Sequence, residues 1–185
     1  MGQAFGKLQQ NGRGKNKKEL RILLIGLDNA GKTSILKTLA SQDVTQVSPT
    51  HGFNLKTIKT EGFSLFLWDI GGQKFIRPYW EDYYDNTDFI VYVVDSTDRK
   101  RFGETGQELF EVLHSSKLAG VPLLVLANKQ DVGTATPADD IANKLSLSNI
   151  TDRVWKIQPC SAWKNEGVKV GFDWLMKTVI DKRKK

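Results

Sequence analysis

The sequence predicts an α/β fold, a six-stranded, mostly parallel sheet flanked by helices. Three observations carry that expectation. Apolar runs alternate with helix-patterned segments along the 185 residues. Two of the runs, FIVYVVD (89–95) and PLLVLAN (122–128), are continuously apolar, as in strands covered on both faces. A glycine-rich turn, GLDNAGKT (26–33), stands between a strand pattern and a helix pattern.

Each element follows in order. LRILLIG (20–26) reads as a buried strand and GKTSILKTLAS as the helix after it. FNLKTIKT (53–60) and FSLFLWDI (63–70) read as two strands, with Glu61 and Gly62 as a tight hairpin turn between them. After the strand 89–95, DRKRFGETGQELFEVLHSSKL spaces Phe102, Leu109, Phe110 and Leu113 at near-helical intervals. The strand 122–128 comes next, then VWKIQPC (154–160) as a sixth, and VKVGFDWLMKTVIDK as a closing helix.

The length suits one domain with a single sizeable core. We read residues 1–18 as a polar, basic extension able to form a switchable amphipathic helix, 19–178 as the domain, and 179–185 as a basic tail. The composition, 39% hydrophobic and 26% charged, is that of a soluble globular protein. No apolar run approaches the roughly 18 residues of a membrane span. A single cysteine, Cys160, leaves no internal disulfide and fits a reducing, cytoplasmic compartment. The net charge of +6 sits on the tails: Lys7, Arg13, Lys15, Lys17 and Lys18 in the leader, and five basic residues against Asp181 at the end, over a body at −3. That placement argues against a nucleic-acid-binding face and suits solvation or weak attraction to anionic lipid.

GLDNAGKT satisfies G-x-x-x-x-G-K-[ST] in the required context. Gly26 and Gly31 let the chain wrap so that successive N–H groups face phosphate oxygens, at the positive end of a helix. We therefore assign Asp28, Asn29, Ala30, Gly31, Lys32, Thr33 and Ser34 to phosphate binding, with Lys32 as a point charge and Thr33 offering its hydroxyl to Mg²⁺. NKQD (128–131) follows a strand, in the crevice where open α/β sheets bind ligands. Asp131 can accept two N–H bonds from guanine, which adenine lacks. Asn128 can bridge the base loop and the phosphate loop, and the stem of Lys129 can cover the ring. Ser161 and Ala162 of CSA complete the base site. The nucleotide is read as guanine, GTP or GDP.

Between these motifs lie PTHGFN (49–54) and WDIGGQ (68–73). Thr50 can bring a hydroxyl to Mg²⁺, and Asp69 can hold the metal through water. Gly72 allows an N–H to approach the γ-phosphate, and Gln73 is placed to orient an attacking water. Two loops tied to one phosphate and free to relax when it leaves make a switch.

Together, GLDNAGKT, PTHGFN, WDIGGQ, NKQD and CSA resemble a small GTPase of the ADP-ribosylation-factor (Arf) family, from about residue 20 to the C-terminus. QKFIRPYW, NTDFIVYVVDSTDRKRFGETGQEL and DRVWKIQ most resemble its type-3 Arf-like subgroup. The resemblance implies a P-loop NTPase fold and a monomeric switch whose hairpin between the loops slides when GTP binds, displacing an N-terminal helix. It implies an effector surface at Phe53, Trp68 and Tyr83; ordinary core aromatics are the alternative for Phe53 and Trp68. The partners implied are carriers of lipidated proteins, which release cargo to the GTP form, an exchange factor that is itself Arf-like, and an activating protein that supplies an arginine. Association with cilia is implied too. The other reading is an Arf-type recruiter of vesicle coats to membranes. Arg77 and Arg99, near the switch segments, read as solvated surface rather than as a built-in arginine finger, so intrinsic turnover is expected to be slow and raised about 10³–10⁵-fold in trans. His51 reads as an exposed imidazole, His114 as a helix-end contact, and Cys160 as a small buried residue.

The leader departs from the family. The myristoylation pattern asks for Ser or Thr at position six, where this chain has Gly6. Phe5 and Leu8 are the leader's apolar content one helical turn apart, and the chain ends DKRKK without a prenylation box. A weak, conditional membrane contact is expected.

Overall fold

The computed structural model describes residues 18–60 and 62–182. The readings on the leader, on Glu61 and on the last three residues lie outside them. Six strands form one sheet: β1 (Lys18–Ile25), β2 (Phe53–Thr60), β3 (Phe63–Ile70), β4 (Phe89–Asp95), β5 (Leu123–Asn128) and β6 (Trp155–Pro159). The order across the sheet is β2-β3-β1-β4-β5-β6. β2 runs antiparallel to β3, and every other pairing is parallel. Among the described residues, four α-helices cover the faces: α1 (Lys32–Leu39), α2 (Phe102–His114), α3 (Ala138–Lys144) and α4 (Val168–Lys182).

Strand periodicity divides the core in two. Ile22 and Leu24 of β1, with Val91 and Val93 of β4, point to one face and pack with Ile35 and Leu36 of α1 and Phe172, Leu175 and Val179 of α4. Their neighbours Leu23, Ile25, Ile90, Tyr92 and Val94 point to the other, against Leu109 and Val112 of α2 and Ile141 of α3. Ile70, Ile76, Trp80 and Tyr84, from the end of β3 and the segment after it, join this second face. Central strands buried on both sides must be apolar throughout, which is why β4 and β5 show no alternation.

The sequence-based reading lacks, among other short turns, two elements of seven residues. Arg77–Tyr83 forms a 3-10 helix opened by Pro78, and α3 follows Pro137 with Asp139 and Asp140 in its first turn. Each is only seven residues long, too short for its apolar positions to repeat. Among the described residues, no helix is long and apolar enough to cross a membrane.

Candidate functional site

The phosphate loop connects β1 to α1. Gly26 has φ 143°, and a Cβ there would lie 2.3 Å from the Val93 carbonyl oxygen. Gly31, at φ 95°, turns the chain into α1. These two positions require glycine for conformation and for space. Lys32 is buried, and its ammonium donates to the carbonyls of Gly26 and Leu27 at 2.9 Å each, which curls the loop around it. Burial pushes the Lys32 ammonium down to about 8, with the carboxylates of Asp69 and Asp28 opposing the shift.

Around the loop lies a cleft of about 500 Å³, lined by Asp28, Asn29, Gly31, Lys32, Thr33, Ser34, Thr50, Gly72, Gln73 and Lys129 among others. Ala30 is buried beneath it. A larger cavity of about 670 Å³ lies along α2, lined by Leu109, Phe110 and Leu113, and holds none of the phosphate-loop residues.

Three oxygen-bearing side chains converge at the end of the cleft. The Thr33 hydroxyl donates to Asp69 Oδ2 at 2.7 Å and lies 2.9 Å from the Thr50 hydroxyl, which is itself 3.4 Å from Asp69 Oδ2. Asn54 Nδ2 donates to the same oxygen at 3.2 Å. Asp69 Oδ1 is buried without a hydrogen-bond partner among the described residues. Burial raises the Asp69 carboxyl above its usual range, against the hydrogen bonds from Thr33 and Asn54 and the charge of Lys32. Two hydroxyls and a buried carboxylate with an unused oxygen fit a hard divalent cation such as Mg²⁺.

The WDIGGQ segment closes over the loop through its backbone. A Cβ on Gly72 would fall 2.3 Å from the Gly26 carbonyl oxygen and 2.5 Å from the Asp28 nitrogen. Asp28 N–H donates to the Gly72 carbonyl at 3.1 Å, and Gly71 N–H to the Gly52 carbonyl at 2.8 Å. Gln73 Oε1 is buried, with no hydrogen-bond partner among the described residues.

On the base side, Asn128 is the joint. Its Nδ2 donates to the Ala30 carbonyl at 2.9 Å, and its Oδ1 accepts from the Ala162 N–H at 3.0 Å. Ser161 donates to Asp131 Oδ1 at 2.6 Å, fixing the carboxylate. Lys129 Nζ donates to Asp95 Oδ2 at 2.6 Å, which sets the direction of its stem. Burial opposes ionisation of Asp95, but hydrogen bonds from Lys129 and Thr97 hold its carboxyl below the usual range.

Phe53, Trp68 and Tyr83 form a triangle of rings with centroids 5.4, 5.5 and 5.8 Å apart. Phe53 is 49% exposed, so it is not a core aromatic.

The sequence model of the ADP-ribosylation factor (Arf) family matches residues 4–179. The chain belongs to the Arf family. It is 56% identical over 169 residues to ADP-ribosylation factor-like protein 3 of Chlamydomonas reinhardtii, covering 90% of this chain and 96% of that one. The protein of the same name from Caenorhabditis elegans is 53% identical, covering 91% and 92%. Among solved structures, the Arl6 BBS3 small GTPase from Trypanosoma brucei with bound nucleotide analogue GppNp superimposes with a TM-score of 0.80 at 33% identity, covering 87% of this chain and 97% of that one. This Arf-family protein is accordingly a GTPase that binds guanine nucleotide and cycles between GDP and GTP forms.

In the Arf-family site, the structure corrects one expectation. Arg77 is not solvated surface. Its side chain is buried and donates to the Gly72 carbonyl, Glu104 and Glu108. Pro78 next to it starts a 3-10 turn that swings the side chain inward. Arg99 is exposed, donating to Thr136 and Thr134. Three further residues escaped the sequence reading. Arg101 donates to both the carboxylate and the carbonyl of Asp28, at 2.8 and 3.0 Å. Trp80 Nε1 donates to the Gly71 carbonyl at 2.9 Å. Asp95 orients Lys129. Each contact spans a different element, so no local spacing marks it.

Proposed function

We propose that this Arf-family GTPase acts as a release factor, its GTP form binding soluble carriers of lipidated proteins and making them let go of their cargo. The observation that carries the reading is the ring triangle of Phe53, Trp68 and Tyr83. Phe53 follows the first loop at the phosphate, Trp68 precedes the second, and Tyr83 closes the 3-10 turn after it. A surface assembled from both loops depends on where each of them sits, so a partner that grips it would read the nucleotide that positions them. Likeness to the type-3 Arf-like proteins supports carriers as that partner.

In the reaction we assign Lys32 and the phosphate-loop N–H groups to the β- and γ-phosphates, Gly72 N–H to the γ-phosphate, and Gln73 to the attacking water. Thr33 and Thr50, with Asp69 through water, would hold Mg²⁺, whose charge would offset that of the phosphates. Asp131, Asn128 and Ser161 hold the guanine, with the Ala162 N–H shared between Asn128 Oδ1 and the base, and Lys129 covers it. Among the described residues, the arginines that approach the phosphate loop, Arg77 and Arg101, are tied to Asp28 and to neighbouring carboxylates, so an activating protein supplies the catalytic one. An Arf-like exchange factor, a monomeric state, no contact with nucleic acid, and a cytoplasmic and ciliary location with weak membrane contact complete the proposal.

The test is affinity capture with the protein loaded with GDP or a non-hydrolysable GTP analogue, followed by release of a fluorescent prenylated or myristoylated peptide from the captured carrier. Release by the GTP form alone supports the reading. Capture of coat or tether proteins instead, with no lipid carrier, would favour the membrane-recruiting alternative.

A further inference from the structure

We propose that Arg77 is a positioning residue for GTP hydrolysis, fixing Gln73 by gripping the carbonyl of Gly72. Nε donates to Gly72 O at 2.8 Å, while Nη1 meets Glu104 at 2.6 Å and Glu108 at 2.9 Å, and Nη2 lies 3.4 Å from Asp28. The guanidinium thus touches three bodies: the segment after β3, the helix α2 and the phosphate loop. A carbonyl and the following N–H belong to one planar unit. The Gly72 carbonyl therefore sets the plane from which Gln73 departs. That carbonyl accepts twice, from Asp28 N–H at 3.1 Å and from Arg77. The peptide before it is held in the same manner, its Gly71 carbonyl accepting from Trp80 Nε1 at 2.9 Å. Two adjacent peptide planes are therefore clamped by side chains of one 3-10 turn.

The clamp is anchored on a rigid support. Glu104 and Glu108 lie one turn apart on α2, whose Leu109 and Val112 are core residues, and their carboxylates neutralise a guanidinium that is otherwise buried. Arginine is required because the contact is a fork. Its planar donors face the carbonyl and the carboxylates at once, whereas a lysine ammonium carries its charge to the pair without holding the peptide plane. Arg77 does not itself reach the reacting atoms. What it supplies is the fixed starting point of a side chain whose Oε1 has no partner among the described residues.

This inference rests on Gln73 orienting the attacking water, and the experiment separates the two. Single-turnover hydrolysis of bound GTP is measured for the parent, Arg77→Lys, Gln73→Leu and the double variant, with GDP dissociation and the melting temperature alongside. Arg77→Lys is expected to slow hydrolysis about 10–100-fold, the scale of a small misplacement of a reacting group, with GDP dissociation and melting close to the parent. Added to Gln73→Leu, it should slow the reaction no further, because it acts through Gln73. Arg77→Lys hydrolysing at the parent rate while Gln73→Leu is slow would overturn the role of Arg77. So would full additivity in the double variant. Gln73→Leu hydrolysing like the parent would instead remove the water-orienting role on which the inference stands. If Arg77→Lys does not fold, Glu104→Gln combined with Glu108→Gln releases the anchor and is read by the same two criteria.

Discussion

Asn128 and Ala30 stand 98 positions apart and are joined by a 2.9 Å hydrogen bond from the carboxamide Nδ2 to the carbonyl. The other end of the same carboxamide holds Ala162. One side chain thus ties the phosphate loop to both base loops. It is 2% exposed, so its partners have no water to fall back on. Asn128→Ala should leave a buried carbonyl and N–H unpaired at a cost of about 1–3 kcal/mol. The expected result is GDP release faster by about tenfold or more, followed with a fluorescent GDP analogue.

Asp131 is held by Ser161 at 2.6 Å with its second oxygen left for the base. Asp131→Asn replaces an acceptor by a donor where guanine presents N–H groups. Competition binding should show preference moving from guanine to xanthine nucleotides. Unaltered GTP affinity would remove Asp131 from the base site.

Gln73→Leu should hold GTP for longer than the parent, and Thr33→Asn should weaken the Mg²⁺ dependence of nucleotide binding and disfavour the GTP form. Phosphate release and nucleotide dissociation at varied Mg²⁺ read both. Hydrolysis like the parent's in the two variants would remove the water and metal assignments.

Gly72 lies so close to the phosphate loop that any Cβ meets backbone, 2.3 Å from Gly26 O and 2.4 Å from Leu27 C. Backbone there cannot move aside cheaply, because the loop must keep its curl around Lys32. Gly72→Ala should still bind GDP yet lose more than about tenfold in preference for a GTP analogue, from an overpacking cost of about 1–3 kcal/mol. Equal preference in the variant and the parent would mean that closure does not need this approach.

Cys160 is the single cysteine of the chain, 3% exposed, and burial pushes its thiol up to about 12. Its sulfur lies 3.7 Å from Asn128 Oδ1. At pH 8 the nucleotide-loaded protein should resist alkylation, and removal of nucleotide should expose the thiol as the base loops part. Mass spectrometry after timed alkylation reads this, and rapid labelling of the loaded protein would contradict it.

The fold was largely legible because its determinants are local. Continuous apolar runs marked β4 and β5, and the spacing in GLDNAGKT marked the turn into α1. The short elements were not, since seven residues between prolines and loops carry no measurable period. In the site, residues acting through backbone motifs could be read in order along the chain. Arg77 could not. Its sequence neighbourhood, KFIRPYW, offers a charge beside exposed aromatics, and only the tertiary approach of α2 supplies Glu104 and Glu108. Its neighbours Phe75 and Tyr79 are themselves exposed, so the burial of Arg77 is a property of its own tertiary contacts and not of the segment.

The sheet separates two neighbourhoods that meet different demands. α1, which opens at the phosphate loop, packs with α4 on one side, whereas Ile70, Ile76, Trp80 and Tyr84 pack with α2 and α3 on the other. The sheet is thus a bulkhead between the part that grips and the part that signals. Two lines pass around its edge, because Arg77 and Arg101 on the signalling side both reach Asp28 of the gripping loop. A mutation that softens the α2 side but spares these two lines should blur the message while leaving the hold on nucleotide firm.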